Sequence, residues 1–152
     1  LLESGVKFTS ITIMIQNEVA SRLVAKPGSS DYGAITASIN LVANSEIILK
    51  VPRTMFMPAP NVDSAVVKIE FERGRVAVKD ERAYRQTVKC AFLNRRKTLE
   101  NNLVNFFKLT REDAKRILTQ AGVEEKARGE TLSPQRLAKL SDVLLDMGFI
   151  KL

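Results

Sequence analysis

The sequence predicts an α/β fold in which part of an open sheet is followed by a small all-α domain. Segments rich in β-branched and apolar side chains have the composition of strands, and they occupy residues 8–16, 46–51 and 64–71. Beyond residue 80, apolar positions at helical spacing recur between helix-capping residues. We therefore predict a sheet-containing domain over residues 1–72, a linker at 73–79 and a helical domain over 80–152.

The first predicted strand, residues 8–16, is apolar at most positions, which predicts burial on both faces in a mostly parallel sheet. Asn17 then offers an N-cap for a helix over residues 18–25. A second helix is predicted over residues 32–42. Three strands with one or two helices make an incomplete sheet with an exposed edge, so we expect an amino-terminal partner that this sequence does not contain.

The carboxy-terminal part contains the signals of four short helices. Their starts are predicted at capping residues, and two of the ends at glycines that can adopt a positive φ. The capping residues are Asp80, Thr98, Thr110 and Ser133, and the glycines are Gly122 and Gly148. We expect each helix to place its apolar side chains in a shared core.

Composition excludes several classes of protein. The chain has no histidine, which excludes Ser-His-Asp and Cys-His nucleophiles and the usual zinc sites, so no metal is expected. Cys90 is the single cysteine and cannot form an internal disulfide, which favours a reducing cytoplasm. The apolar runs are far shorter than the roughly 20 residues of a membrane span, and the first residues lack the pattern of a signal peptide.

The basic excess is confined to the carboxy-terminal part of the chain. Residues 1–72 carry six Lys or Arg against seven Asp or Glu, whereas residues 73–152 carry eighteen against ten. The net charge of +7 therefore arises entirely after residue 72. This asymmetry indicates a polyanionic partner.

Cationic side chains repeat along the first helix predicted in the basic part. At 100° per residue, four of them fall on one narrow stripe beside the apolar positions, and two more lie at its end. Guanidinium groups suit phosphate oxygens, so we predict phosphate contacts for this set, with a solvated charged face as the alternative. The stripe contains Arg82, Arg85, Lys89 and Arg96, and the additional residues are Arg95 and Lys97.

Phe56 begins a proline-punctuated segment between two predicted strands. Pro58 and Pro60 restrict the backbone and remove hydrogen-bond donors, so the ring is expected in a rigid, irregular loop. A fixed aromatic ring can stack on an extruded base, which is worth roughly 1–3 kcal/mol per base. A packing aromatic is the alternative for this side chain.

Four motifs occur in collinear order over nearly the whole chain. Residues 56–64 follow the pattern Phe-x-Pro-x-Pro-x-Val-x-Ser. Residues 16–33 contain Gln-x-Glu-Val-Ala-x-Arg-Leu with Lys-Pro-Gly and Tyr-Gly, and residues 91–103 contain Ala-Phe-Leu-Asn-Arg-Arg-Lys-Thr-Leu with Asn-Asn-Leu. Residues 128–133 contain Arg-x-Glu-Thr-Leu-Ser. Together these motifs resemble the rRNA adenine N6,N6-dimethyltransferase family.

The resemblance implies that the strands are the late strands of a Rossmann-like methyltransferase domain. Enzymes of the family transfer methyl groups from S-adenosylmethionine to N6 of two adjacent adenines near the 3′ end of 16S rRNA, during small-subunit biogenesis. The resemblance favours adenine stacking for Phe56 and RNA binding for the six cations. The family's Gly-rich donor turn and Asn-Leu-Pro-Tyr loop do not occur in this sequence. We therefore assign no catalytic or donor-binding residue and expect the chain alone to be inactive.

Two other interpretations remain open from sequence. A non-catalytic RNA-binding or ribosome-assembly module would use the same basic helices without methylation. A DNA-binding helical domain is disfavoured, because the last predicted helix carries only Arg136 and Lys139 as basic residues. The sequence does not indicate an oligomeric state.

Overall fold

The computed structural model describes residues 8–72 and 74–151. Three parts of the chain lie outside the described residues: residues 1–7 of the predicted first domain, Arg73 of the predicted linker and Leu152 of the predicted second domain. The strands are Ser10–Gln16 (β1), Ala43–Val51 (β2) and Ser64–Phe71 (β3). The helices are Asn17–Leu23 (α1), Ala34–Asn40 (α2), Glu81–Ala91 (α3), Leu99–Phe107 (α4), Arg111–Ala121 (α5) and Pro134–Asp146 (α6), with 3₁₀ turns at Arg53–Met55 and Gly129–Thr131.

The three strands form one sheet in the order β1-β3-β2. The central strand β3 is antiparallel to both neighbours, with Val67 opposite Ile13 of β1 and Ile47 of β2. The expectation of a mostly parallel sheet is therefore wrong for these strands. The physical reason is the connection: the chain leaves β2 through the proline-punctuated loop and returns as β3 between the two earlier strands, which places no parallel pair in contact.

Burial on both faces of β1 is also wrong. Its residues alternate between exposed and half-buried along the strand. One face of the sheet packs against α1 and α2, where Ala20, Leu23 and Ile39 join Val67 and Ile69 in a small core. The other face receives no helix of the described residues, which leaves Met14 of β1 54% exposed.

The start of α1 differs by one residue from the prediction. Asn17 is the first helical residue and Gln16 is the N-cap, without a side-chain cap hydrogen bond. The backbone N–H of Asn17 donates to the carbonyl oxygen of Asp63 at 2.9 Å. Because β1 runs directly into the helix, the neighbouring loop satisfies this donor and no asparagine cap is needed.

The four predicted helix starts in the carboxy-terminal part are confirmed. Asp80, Thr98, Thr110 and Ser133 each accept a backbone N–H of the first helical turn. Gly122 ends α5 in the left-handed conformation at φ 68°, as a glycine without a Cβ can do at low cost. Gly148, at φ 76°, follows the end of α6.

The main core joins the two parts of the chain. Leu99, Leu118 and Leu140 of the later helices share it with Tyr32 and Leu41, which flank α2 beside the sheet. The segment between β3 and α3 is attached to α6. The backbone N–H of Lys79 donates to Asp142, and its ammonium group lies 2.6 Å from the Asp146 carboxylate. The division of the chain at residues 73–79 stays a prediction.

Candidate nucleic-acid interface

A wide groove of about 1550 Å³ lies where one end of the sheet meets α2 and α3. Its apolar walls include Ile35 of α2, Phe71 at the end of β3 and Val76 of the connecting segment. Three cations of α3 line the same groove, Arg82, Arg85 and Lys89. The tertiary structure therefore combines the predicted basic stripe with a concave surface.

The groove cations extend into solvent beside the acidic start of α3. The Arg82 guanidinium lies 3.7 Å from the Asp80 carboxylate and its side chain remains 72% exposed. Arg85 lies 3.5 Å from Glu81 one turn away. Backbone N–H groups of Ala83 and Arg82 lower the pKa of the Asp80 carboxyl, so this cap stays ionised near neutral pH. The groove therefore presents exposed, partly paired cations that a phosphate can reach.

Arg96 does not lie on the predicted helical stripe. Helix α3 ends at Ala91, and Phe92 is its C-cap. Arg96 belongs to the turn between α3 and α4, so a helical wheel does not apply to it. The stripe consists of Arg82, Arg85 and Lys89 alone.

The cations in the turn between α3 and α4 differ in whether they have a partner within the protein. The Arg95 guanidinium donates to the Glu130 carboxylate and to the carbonyl oxygen of Ser30. Arg96 and Lys97 are exposed, and no ion pair of theirs is found within residues 8–72 and 74–151. Arg96 and Lys97 are therefore available to an external anion, whereas Arg95 already has internal partners.

The loop between β2 and β3 places Phe56 after the 3₁₀ turn at Arg53–Met55. The Arg53 backbone N–H donates to the Asp63 carboxylate at 2.9 Å, and its guanidinium donates to the Asn61 carbonyl oxygen at 3.2 Å. These two hydrogen bonds connect the beginning of the loop to its end. The ring of Phe56 is half-buried, and Met57 beside it is 100% exposed.

Phe56 and the wide groove lie toward opposite ends of the sheet. The Phe56 loop ends where β3 begins at Ser64, whereas the groove is lined by Phe71, where β3 ends. Eight residues of strand correspond to about 24 Å at about 3.4 Å per step. The structure does not bring Phe56 and the groove cations together, so one ligand must be extended to contact both.

Sequence reasoning missed two residues that organise these loops. Arg53 fixes the Phe56 loop through its backbone N–H, which donates to the Asp63 carboxylate ten residues later, and through its guanidinium, which donates to the Asn61 carbonyl oxygen eight residues later. Glu130 belongs to the motif of residues 128–133, but the motif did not reveal its partner, because Arg95 lies 35 residues away in sequence. Long-range partners of this kind are not visible in the spacing of residues along one helix.

S-adenosylmethionine, which the resemblance implies, fits neither the wide groove nor a smaller one among the described residues. The donor is a sulfonium cation, and the wide groove carries a net positive charge, with Lys79, Arg82, Arg85 and Lys89 against Asp80 and Glu81, which disfavours it. A smaller groove of about 400 Å³ lies beside Gln16 and Arg53, but Val62 is the single apolar side chain in its lining. It therefore offers little surface for a purine ring, and we assign no donor-binding residue.

The described residues show neither a metal cluster nor a membrane span. No group of three or more Cys, Asp or Glu side chains within them could hold a metal ion. None of the helices in that part of the chain has the length and apolar character needed to cross a bilayer.

Comparisons with known proteins agree with the motifs. The family model described as ribosomal RNA adenine dimethylase matches residues 1–143. Ribosomal RNA small subunit methyltransferase A of Shouchella clausii is 47% identical over 149 residues, which are 95% of this chain and 50% of that protein. The corresponding protein of Geobacillus thermodenitrificans is 42% identical over 151 residues, 97% of this chain and 52% of that protein. The chain thus spans about half the length of the curated relatives it matches.

Solved structures show the same fold at lower identity. A dimethyladenosine transferase from Plasmodium falciparum aligns with 96% of this chain and 59% of its own, at a TM-score of 0.74 and 21% identity. The 23S rRNA methyltransferase ErmE aligns with 90% of this chain and 55% of its own, at a TM-score of 0.60 and 24% identity. The three-stranded sheet with its helices is therefore a fragment of a Rossmann-like methyltransferase fold. On its match over residues 1–143, the chain belongs to the ribosomal RNA adenine dimethylase family.

Proposed function

We propose that the intact protein is an S-adenosylmethionine-dependent 16S rRNA adenine N6,N6-dimethyltransferase. It would modify two adjacent adenines near the 3′ end during small-subunit assembly, and this chain would hold the RNA. The match to the family and the names of the relatives support the reaction. The observation that carries the role of this chain is the line of α3 cations along one open groove.

Phosphate binding follows from the character of these cations. Arg82, Arg85 and Lys89 line the wide groove, and Arg82 and Lys89 are exposed. Arg96 and Lys97 are exposed in the turn between α3 and α4. Each phosphate that they neutralise releases condensed counterions, which makes affinity fall with salt. Contacts of this kind position an RNA and do not read its sequence.

Phe56 would act on the base rather than on the backbone. The amine of a target adenine is inaccessible while the base is stacked, so the base must leave its stack before methylation. A half-buried ring in a loop whose two ends are hydrogen-bonded to each other can receive that base by stacking. The length of β3, which lies between the Phe56 loop and the wide groove, is about 24 Å and corresponds to about seven stacked steps of a nucleic-acid strand, at about 3.4 Å each.

The methyl donor would supply an electrophilic methyl group, and residues outside this chain would hold it. This chain would dock and orient the transcript. We expect the 152-residue chain alone to bind RNA weakly and to transfer no methyl group, because its grooves do not suit the donor.

The test uses the intact protein with S-adenosylmethionine and assembling small subunits. Mass spectrometry of oligonucleotides from a ribonuclease digest is expected to detect N6,N6-dimethyladenosine at two adjacent positions. RNA binding without any methylated adenine would support the non-catalytic assembly module instead. This assay tests the proposed methylation reaction with the wild-type protein, so its result does not depend on any substituted variant.

A second measurement tests the groove. Replacing Arg82 and Lys89 by alanine is expected to flatten the slope of log affinity against log salt by about 0.7–0.9 for each lost phosphate contact. Arg116→Ala is the matched control, since it removes an exposed cation of α5 that does not line the groove. A slope equal to that of the control would contradict the proposed docking surface.

A further inference from the structure

The Arg95 guanidinium is engaged within the protein by three hydrogen bonds. Nε and Nη2 each donate to Oε2 of Glu130 at 3.2 Å, and Nη2 also donates to the Ser30 carbonyl oxygen at 2.7 Å. The side chains of Arg95 and Glu130 are 44% and 24% exposed. A guanidinium that already faces a carboxylate has little net charge left for a phosphate, because the two opposite charges cancel at a distance.

These bonds connect three segments that are distant in sequence. Ser30 belongs to the loop after α1, Arg95 to the turn after α3, and Glu130 to the 3₁₀ turn before α6. The backbone of Glu130 adds a fourth bond, since its carbonyl oxygen accepts the Gly28 N–H at 2.7 Å. Arg95 therefore lies at the junction of the three segments and contacts two of them directly.

The same turn is held on its other side by backbone and amide groups. The Asn102 side chain donates to the carbonyl oxygens of Ala91 and Asn94 at 3.0 and 3.3 Å. The Leu99 N–H donates to the Ala127 carbonyl oxygen at 2.8 Å. With both sides anchored, the exposed Arg96 and Lys97 project from a turn of defined geometry.

We propose that Arg95 is a positioning residue, which fixes the turn so that Arg96 and Lys97 meet phosphates in a defined arrangement. It acts through Glu130 and the Ser30 carbonyl group and does not bind phosphate itself. The inference rests on the proposed RNA-binding function. A preset arrangement raises affinity because less conformational freedom is lost when the RNA binds.

Substitution of Glu130 distinguishes direct phosphate binding by Arg95 from positioning of the turn, because the two roles predict opposite changes in RNA affinity. If Arg95 bound phosphate directly, removing the neighbouring carboxylate would strengthen RNA binding, since one repulsive charge is lost. If Arg95 positions the turn, Glu130→Ala releases its guanidinium and weakens binding. Glu112→Ala, an exposed acidic residue of the first turn of α5, is the control for loss of a negative charge elsewhere.

The experiment measures RNA affinity across salt concentrations for the intact protein and its variants. Arg95→Ala and Glu130→Ala are each expected to weaken binding about tenfold with the salt slope unchanged. Arg96→Ala should reduce the slope by about 0.7–0.9. Arg95→Lys keeps the charge but loses the planar fork, so we expect it to resemble Arg95→Ala.

Hydrogen exchange of the same variants provides a readout that does not need RNA. Loss of Arg95 or Glu130 is expected to speed exchange in residues 26–31 and 93–98, whereas Arg96→Ala should leave both segments unchanged. Exchange unaltered in Arg95→Ala, or stronger RNA binding by Glu130→Ala, would overturn the proposal. If no variant binds RNA and the wild type does not either, the proposed function fails, while the exchange data still decide whether Arg95 fixes the turn.

Discussion

The hydroxyl of Tyr84 on α3 donates a 3.1 Å hydrogen bond to the carbonyl oxygen of Ala37 on α2. Both residues are 0% exposed, and they lie 47 positions apart in sequence. Burial, with a smaller contribution from Tyr32, raises the pKa of the Tyr84 hydroxyl, which therefore remains a donor at neutral pH. This bond connects the helices after residue 80 with the layer that covers the sheet.

Tyr84→Phe is expected to lower the free energy of unfolding by about 0.5–1.5 kcal/mol, because the Ala37 carbonyl oxygen loses its buried donor. Tyr32→Phe is the matched control. The Tyr32 hydroxyl is also buried but has no partner among the described residues. Its removal should leave stability unchanged or raise it. Urea denaturation of the two variants checks the difference, and equal destabilisation by both would contradict it.

Gly129→Ala is expected to destabilise the fold by about 1–3 kcal/mol. A Cβ at this position would lie 2.2 Å from the carbonyl oxygen of Ala91 and 2.7 Å from its carbonyl carbon. Both atoms are backbone and cannot rotate away. Gly33→Ala serves as the control, because a Cβ there has nothing within 4 Å and the backbone is extended at φ −150°. Thermal or chemical denaturation should therefore separate the two substitutions clearly.

The Cys90 thiol is expected to be unreactive in the folded protein. The side chain is 0% exposed, and burial raises its pKa to about 12. The reactive thiolate is then about one part in ten thousand at pH 8. Mass spectrometry should find carbamidomethylated Cys90 only after denaturation. Labelling of the native protein at the rate of a free cysteine would show that the thiol is accessible.

Acidification is expected to weaken the start of α3. The N–H groups of Ala83 and Arg82 lower the pKa of the Asp80 carboxyl in the folded protein. Its stabilising effect is therefore complete above the unfolded pKa and is lost as the pH falls through the lower, folded pKa. Asn also caps helices but does not titrate. The difference in unfolding free energy between wild type and Asp80→Asn should be constant from pH 5 to 7 and shrink below about pH 4.

Phe56→Ala is expected to reduce methyl transfer by the intact protein about fivefold to 150-fold, the equivalent of about 1–3 kcal/mol of lost base stacking. Phe56→Trp retains an aromatic face and should keep most of the activity. Met57→Ala alters the fully exposed neighbour and controls for general effects on the loop. Full activity of Phe56→Ala, with unchanged thermal stability, would exclude stacking by this ring.

Local chemistry determined most of the secondary structure. Asp80, Thr98, Thr110 and Ser133 cap helices because a side-chain oxygen satisfies N–H groups two or three residues away. Gly122 ends α5 for an equally local reason, the low cost of a positive φ. Helix α1 begins at Asn17, one residue before its predicted start. The reason is not local, because the backbone N–H of Asn17 donates to the carbonyl oxygen of Asp63, far along the chain.

The sequence by itself determined the strands, the caps, the family motifs and the basic character of the second half. Only the tertiary structure decided the strand order β1-β3-β2, the separation of Phe56 from the α3 groove and the internal partners of Arg95. The physical reason is the range of the interactions. Caps and helical faces depend on neighbours within one turn, whereas strand pairing and the Arg95–Glu130 ion pair join residues tens of positions apart.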